Sequence, residues 1–218
     1  MRRALAGLAA AALAAAAFAQ SPETHPHGFQ GAEKWAHVFD DPSRDTWQKP
    51  HEVIEALRLR PDAIVADIGA GTGYFAARLA RMVPKGKVYA VDLEADMVRY
   101  LGERAEREHL SNMIPLRGGP RDANLPEPVD LALLVDVYHH IEDRPAYFDR
   151  LKDTLRADAR VAIIDFRIDS PDGPPRAARI APEQVKREMA RAGYALAEAP
   201  DFLPNQYFLV FTASVAAR

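Results

Sequence analysis

Residues 65–75 read Val65-Ala66-Asp67-Ile68-Gly69-Ala70-Gly71-Thr72-Gly73-Tyr74-Phe75. An apolar run over residues 63–68 stops at three glycines spaced by two, and a helix-forming segment, residues 75–82, follows at once. A strand, a glycine turn and a helix start together suit a nucleotide. Glycine tolerates positive φ and lets backbone approach a ligand, and the first helical N–H groups have no partner inside the helix. Asp67 ends the strand and offers an acceptor, either for a ligand amine or for the loop itself. A dinucleotide loop of the form G-x-G-x-x-G would need glycine where Tyr74 stands, which disfavours a nicotinamide-dependent reductase. No Lys-Ser/Thr pair follows the glycines, which argues against a P-loop.

Moving outward, residues 50–60 carry apolar side chains at helical spacing and lead into the first strand. Residues 87–91 read as a second strand ended by Asp92, 19 residues after Gly73. An acid at that point in a nucleotide-binding α/β fold can accept from both ribose hydroxyls. Asp92 or Glu94 would serve equally as the cap of a helix over residues 95–108. Residues 113–117 form a third strand, followed by a loop over residues 118–126 that contains Gly119 and Asp122. The continuous apolar run within residues 129–137 suits a central strand covered on both faces. It ends in Asp136-Val137-Tyr138-His139-His140-Ile141-Glu142-Asp143, and ligands of open α/β sheets bind beyond such carboxyl ends. A helix over residues 144–156, a turn at Ala157-Asp158-Ala159 and a strand over residues 160–166 come next. A Pro/Gly loop (170–175), a helix (181–192) closed by Gly193, and strands over 194–198 and 206–212 complete the chain. This alternation predicts an α/β, Rossmann-like, doubly wound seven-stranded sheet, mostly parallel with an antiparallel C-terminal strand.

The form Asp67-x-Gly69-x-Gly71-x-Gly73 resembles motif I of the class I S-adenosylmethionine-dependent methyltransferases. The run Asp136-x-x-His139-His140-x-x-Asp143 resembles the post-strand-4 motif of their small-molecule branch, which includes quinone and lipid-precursor enzymes. With Asp92, the resemblance spans residues 50–213. It implies S-adenosyl-L-methionine as cofactor, held by Asp67, Gly69, Ala70, Gly71, Gly73, Asp92, Leu93, Asp136 and Tyr138. The adenine-contacting acid of the family is absent, since Gly119 stands near its place, and Asp122 is the substitute three residues on. His140, ahead of His139, would face a small-molecule acceptor (an O-, C- or N-nucleophile, quinone- or lipid-like) and take its proton, because imidazole titrates near neutrality. Either histidine could instead cap the next helix. Arsenite methylation through thiolates is disfavoured by the absence of cysteine.

The chain of 218 residues is 48% apolar, enough for one ordinary core, and its lack of cysteine excludes disulfides, thiolate metal sites and cysteine nucleophiles. A formal charge of −3 argues against a nucleic-acid partner held by bulk electrostatics. Met1-Arg2-Arg3, an Ala/Leu-rich stretch over residues 4–18 and Ala17-Phe18-Ala19 have the form of an export signal cleaved before Gln20. Cleavage would leave no stable membrane span, take the charge from −3 to −5 by removing Arg2 and Arg3, and deliver the protein to the periplasm or the medium. Residues 20–49 hold both tryptophans, Trp35 and Trp47, and read as an N-terminal arm or pocket cap. His25 and His27 lack a third partner, so no metal is expected. By the same resemblance, residues 50–218 would form the methyltransferase domain. A donor made in the cytoplasm fits export poorly, so the competing reading is a non-catalytic exported nucleoside-binding protein on the same scaffold. Neither the acceptor nor the oligomeric state is legible.

Overall fold

The computed structural model describes residues 31–213, so the export signal at residues 1–19, together with His25 and His27, lies outside the described residues. The arm folds into two short helices, α1 (Ala32–Phe39) and α2 (Arg44–Gln48), and α3 (Pro50–Ala56) follows. The core alternates strands and helices: β1 (Ile64–Ile68), α4 (Ala76–Met82), β2 (Lys87–Asp92), α5 (Ala95–Arg107), β3 (Met113–Arg117), β4 (Val129–Val135), α6 (Arg144–Leu151) and β5 (Leu155–Phe166). It closes with α7 (Pro182–Arg191), β6 (Tyr194–Glu198) and β7 (Gln206–Ala213).

The seven strands run in the order β3-β2-β1-β4-β5-β7-β6. Neighbours from β3 to β5 pair in parallel, and β7 lies antiparallel to both β5 and β6. The order reverses between β1 and β4, which opens a crevice at their carboxyl ends. Alternation along β4 sets the two faces. Leu131 and Leu133 pack with Leu79 and Leu101 under α4 and α5, whereas Ala132 and Leu134 pack with Phe148 and Met189 under α6 and α7. Each face is covered, so β1 is buried along its whole length. Among the described residues no helix is long and apolar enough to cross a membrane.

Two expected boundaries move. The helix expected over residues 50–60 stops at Ala56, because Arg58 turns left-handed at φ 45° and ends it early. The helix expected to reach residue 156 ends at Leu151, tightens into a 3-10 turn over Lys152–Thr154 and passes directly into β5. Ala157-Asp158-Ala159 are therefore part of an irregular strand and not a turn. The pairing steps from Val129–Leu155 to Leu131–Arg160, so β5 bulges between those two points.

Candidate functional site

The glycine loop is tied down at its base, where the N–H groups of Gly69 and Ala70 both donate to Val91 O, at 2.8 and 2.9 Å. Gly69, Gly71 and Gly73 all have positive φ, at 74°, 56° and 91°. A Cβ at Gly69 would stand 2.2 Å from Val137 Cγ2, and one at Gly73 would stand 2.9 Å from Leu101 Cδ2. The loop thus has no room for side chains on its inner face. Asp67 is buried beneath it, with one carboxylate oxygen lacking any hydrogen-bond partner, as does the hydroxyl of buried Thr72. Burial, reinforced by the Asp92 charge and opposed by a backbone bond from Ala76, pushes Asp67 up to about 7. An orphaned buried carboxylate oxygen inside a glycine cradle fits a ligand that brings an ammonium group.

Asp92 links β2 to the glycine loop and to the residue that caps α5. Its carboxylate accepts from Gly71 N at 2.8 Å, which binds it to the glycine loop, and from Glu94 N at 2.9 Å, which opens α5. Burial raises its pKa against those two bonds. Each oxygen keeps a lone pair for a diol. Leu93 beside it is half-exposed. Asp122 is turned into its own loop: its carboxylate accepts from Asn124 N at 2.8 Å, and its carbonyl accepts from Gly119 N at 2.7 Å.

Beyond β4 the chain makes the other half of the site. Asp136 sits in a left-handed conformation, φ 58°, and its N–H donates to Ile164 O at 2.9 Å. Its carboxylate accepts from two side-chain amides, Gln48 Nε2 at 3.1 Å and Gln206 Nε2. Burial, then the neighbouring charge of Asp165, pushes Asp136 up to about 7, and the Arg44 guanidinium opposes them. His139 donates its backbone N–H to Asp165 at 3.2 Å and places Nδ1 2.9 Å from the same carboxylate. The side chains of the pair are 6% and 1% exposed. Burial works against the charged ring, but the bond to Asp165 and the charges of Asp165 and Asp136 outweigh it and raise the His139 pKa.

One expectation is corrected here. Tyr138 does not border the crevice with its side chain. The ring is fully buried, stacks on Phe148 at 5.5 Å, and its hydroxyl donates to Glu188 at 2.7 Å under α7. The two histidines stand in different settings. His140 is exposed with its ring centroid 4.1 Å from that of His139, and it is His139 that holds the buried carboxylate. Asp165, Gln48, Gln206 and Arg44 were not anticipated. Only Asp165 had a sequence signal, as an acid at the end of a strand pointing to the crevice.

The arm covers this ground. Phe39 lies where a Cβ on Gly71 would meet it at 3.3 Å, and Gly31 N donates to Asp96 at 3.1 Å. Arg104 joins Asp40 at 2.7 Å to the carbonyl of Thr72 at 2.9 Å. The Tyr74 ring is flanked by the guanidinium groups of Arg44 and Arg78, 4.2 and 4.1 Å from its centroid, and its hydroxyl donates to Asp45. Trp47 faces Phe166 with ring centroids 5.8 Å apart. Residues 31–48 thus pack against the glycine loop, α5 and the end of β5.

Residues 65–158 match a family model described as a methyltransferase domain. The chain is 32% identical over 92 residues to a protein-L-isoaspartate O-methyltransferase of Pyrococcus horikoshii, covering 39% of this chain and 41% of the relative. It is 31% identical over 90 residues to a tRNA(Phe) (4-demethylwyosine(37)-C(7)) aminocarboxypropyltransferase of Methanocaldococcus jannaschii, covering 41% of this chain and 36% of the relative. The chain spans about two fifths of the length of these curated relatives. Among solved structures, a SAM dependent methyltransferase from Aquifex aeolicus superposes with a TM-score of 0.77 at 26% identity, covering 83% of this chain and 97% of that one.

Proposed function

We propose, from the premise that this chain carries a class I, S-adenosylmethionine-dependent methyltransferase domain, that it transfers a methyl group to a small hydroxyl-, carbon- or nitrogen-nucleophile bound in the crevice beyond β4 and β5. The observation that carries this reading is the buried His139–Asp165 pair beside the glycine loop.

When bound, S-adenosylmethionine supplies an electrophilic methyl on a sulfonium. Asp67 and the N–H groups of the glycine loop would hold its amino-acid part, and Asp92 its ribose. The cradle favours this, because the loop excludes side chains and leaves the Asp67 oxygen without a partner. Asp165 is an acceptor, so neutral His139 carries its proton on Nδ1 and presents the Nε2 lone pair. His139 would take the proton that the acceptor loses as the new bond to carbon forms. Asp165 holds the ring in that tautomer and stabilises the cation. The Trp47–Phe166 wall supports a flat, largely apolar acceptor such as a quinol or lipid-like headgroup precursor. Removing the acceptor's proton and aligning it with the methyl are the two tasks left to the protein.

Calorimetric titration of the chain from Gln20 with S-adenosylmethionine, its demethylated product and NAD tests the reading, with Asp92→Ala in parallel. Micromolar binding of the sulfonium compound and its product, lost in the variant, is expected. Binding of neither sinks it. The mature start at Gln20 is part of the proposal, supported by the pattern of residues 1–19. The mass of the protein recovered outside the cytoplasm checks it.

A further inference from the structure

Gln48 is an amide with no exposure at all, carried on the five-residue helix α2 of the arm, 88 residues from the aspartate it touches. Both ends of the amide are committed. Its Oε1 accepts from Arg44 Nε at 2.9 Å and from Arg44 Nη2 as well, which fixes the orientation of the group. Its Nε2 therefore points at Asp136 Oδ2, 3.1 Å away. Gln206 donates to the other oxygen from the start of β7, and its own Oε1 is buried without a partner. A carboxylate gripped by two amides, on a residue at φ 58°, has one orientation. The left-handed conformation is uncommon in a non-glycine residue, and the surrounding hydrogen bonds hold it.

We propose that Gln48 is a positioning residue for the proton-accepting centre: docking of the arm brings its amide onto Asp136 and fixes that carboxylate beside the Asp165–His139 pair. The inference rests on the reading of His139 as the group that takes the acceptor's proton. It makes residues 31–48 a part of the acceptor site and not only a cover, so the centre is complete only with the arm in place. The chain of contacts runs from the Arg44 guanidinium through the Gln48 amide to Asp136, and from there by charge to His139.

The charged groups around His139 set the direction. Asp165 of β5 and Asp136 at the end of β4 favour its cation. Arg144 of α6 opposes it, with Glu188 of α7 paired to that arginine at 2.6 Å, and the His140 ring lies tilted alongside. Tyr207 of β7, whose buried hydroxyl has no partner, lies opposite Asp165 in the sheet. The Gln48 bond helps keep Asp136 ionised. Without it Asp136 holds a proton more readily, and the attraction on the His139 cation weakens.

The test is a nitrogen-15 NMR titration of the His139 ring in the full chain, which needs no acceptor and no turnover. Gln48→Met should lower its proton affinity by about threefold, and Gln48→Asn, which keeps an amide but reaches one methylene less, should act the same way and guard against misfolding of the first. In an Asp136→Asn background, which removes the charge through which Gln48 acts, neither substitution should move the midpoint further. An unmoved midpoint in both single variants overturns the proposal. So does a shift of equal size in the Asp136→Asn background, which would mean that the arm acts by displacement alone. Failure of the methyltransferase reading shows separately, as absence of sulfonium binding in the calorimeter with the titration unaffected.

Discussion

Nδ1 of His139 lies 2.9 Å from the Asp165 carboxylate, in a setting where the side chain of neither residue is more than 6% exposed. Twenty-six residues separate them, and only the parallel pairing of β4 with β5 brings them together. The carboxylate raises the proton affinity of the ring, so it should also set the pH at which the site works. Methyl transfer should rise with pH as His139 loses its proton. In Asp165→Asn the rise should move to lower pH and the plateau rate should fall by roughly 10²-fold. A pH–rate profile unchanged by Asp165→Asn would remove His139 from the chemistry.

The same pair makes a stability prediction with a definite sign. A histidine whose folded pKa is raised binds its proton more tightly folded than unfolded. Its contribution is therefore full below about pH 6.5, the value for an unfolded chain, and is lost as pH rises through the folded value. Urea unfolding of wild type and Asp165→Asn should show the widest gap between about pH 5 and 6.5 and a narrowing gap above it. A gap that widens with rising pH would contradict the assignment.

Gly69 tests the cradle. With φ at 74° and Val137 Cγ2 2.2 Å from where a Cβ would sit, Gly69→Ala meets backbone strain and a clash together. About 2–5 kcal/mol of destabilisation is expected from the two, read by urea unfolding. Adding Val137→Ala should recover the clash and leave the strain. A Gly69→Ala protein within about 0.5 kcal/mol of wild type would mean that the loop is not held as described.

These residues mark where the sequence could be read and where it could not. The glycine spacing, the acid ending β2 and the apolar run of β4 are local patterns, and each strand found there matches one of them. The acid that completes His139 and the amides that grip Asp136 come from β5, α2 and β7, and no local spacing connects them. Tyr138 was misplaced for a related reason. Its neighbours in sequence face the crevice, but the 3-10 turn over Tyr138–His140 rotates its ring into the opposite core. The bulge that absorbs Ala157-Asp158-Ala159 depends on pairing with β4 in the same way.

Arg104 holds the arm to the glycine loop. Its side chain, 13% exposed, bonds Asp40 and Glu108 and also the carbonyl of Thr72. Arg104→Met should keep much of the packing and lose all three bonds. Because both acids are about a quarter exposed and open to water, a loss of about 1–2 kcal/mol is expected, below the figure for a fully buried pair. The loss should be local. Trypsin should cut the arm at Lys34 on the order of tenfold faster, with global unfolding changed much less. Unaltered cleavage there would mean that other contacts hold the arm.

Asp67 gives the most direct test of the donor. Burial holds its pKa near about 7 in the free protein, so below that pH the carboxyl is mostly protonated and the folded state has taken up a proton that the unfolded chain would release. Ionised Asp67 is therefore a cost to folding that grows as pH rises from about 3.9, the unfolded value, to about 7. An ammonium group arriving at its orphaned oxygen reverses the preference and favours the carboxylate. Binding of S-adenosylmethionine at pH 6 should thus release close to one proton, whereas at pH 8, where Asp67 is already ionised and the ligand's own α-amino group (about 7.7–8.0 when free) is about half deprotonated, the release should give way to uptake of about half a proton. Calorimetry in buffers of different ionisation heat measures the number. Asp67→Asn should abolish the release, weaken binding and raise stability at pH 8, three effects that a purely structural aspartate would not produce together.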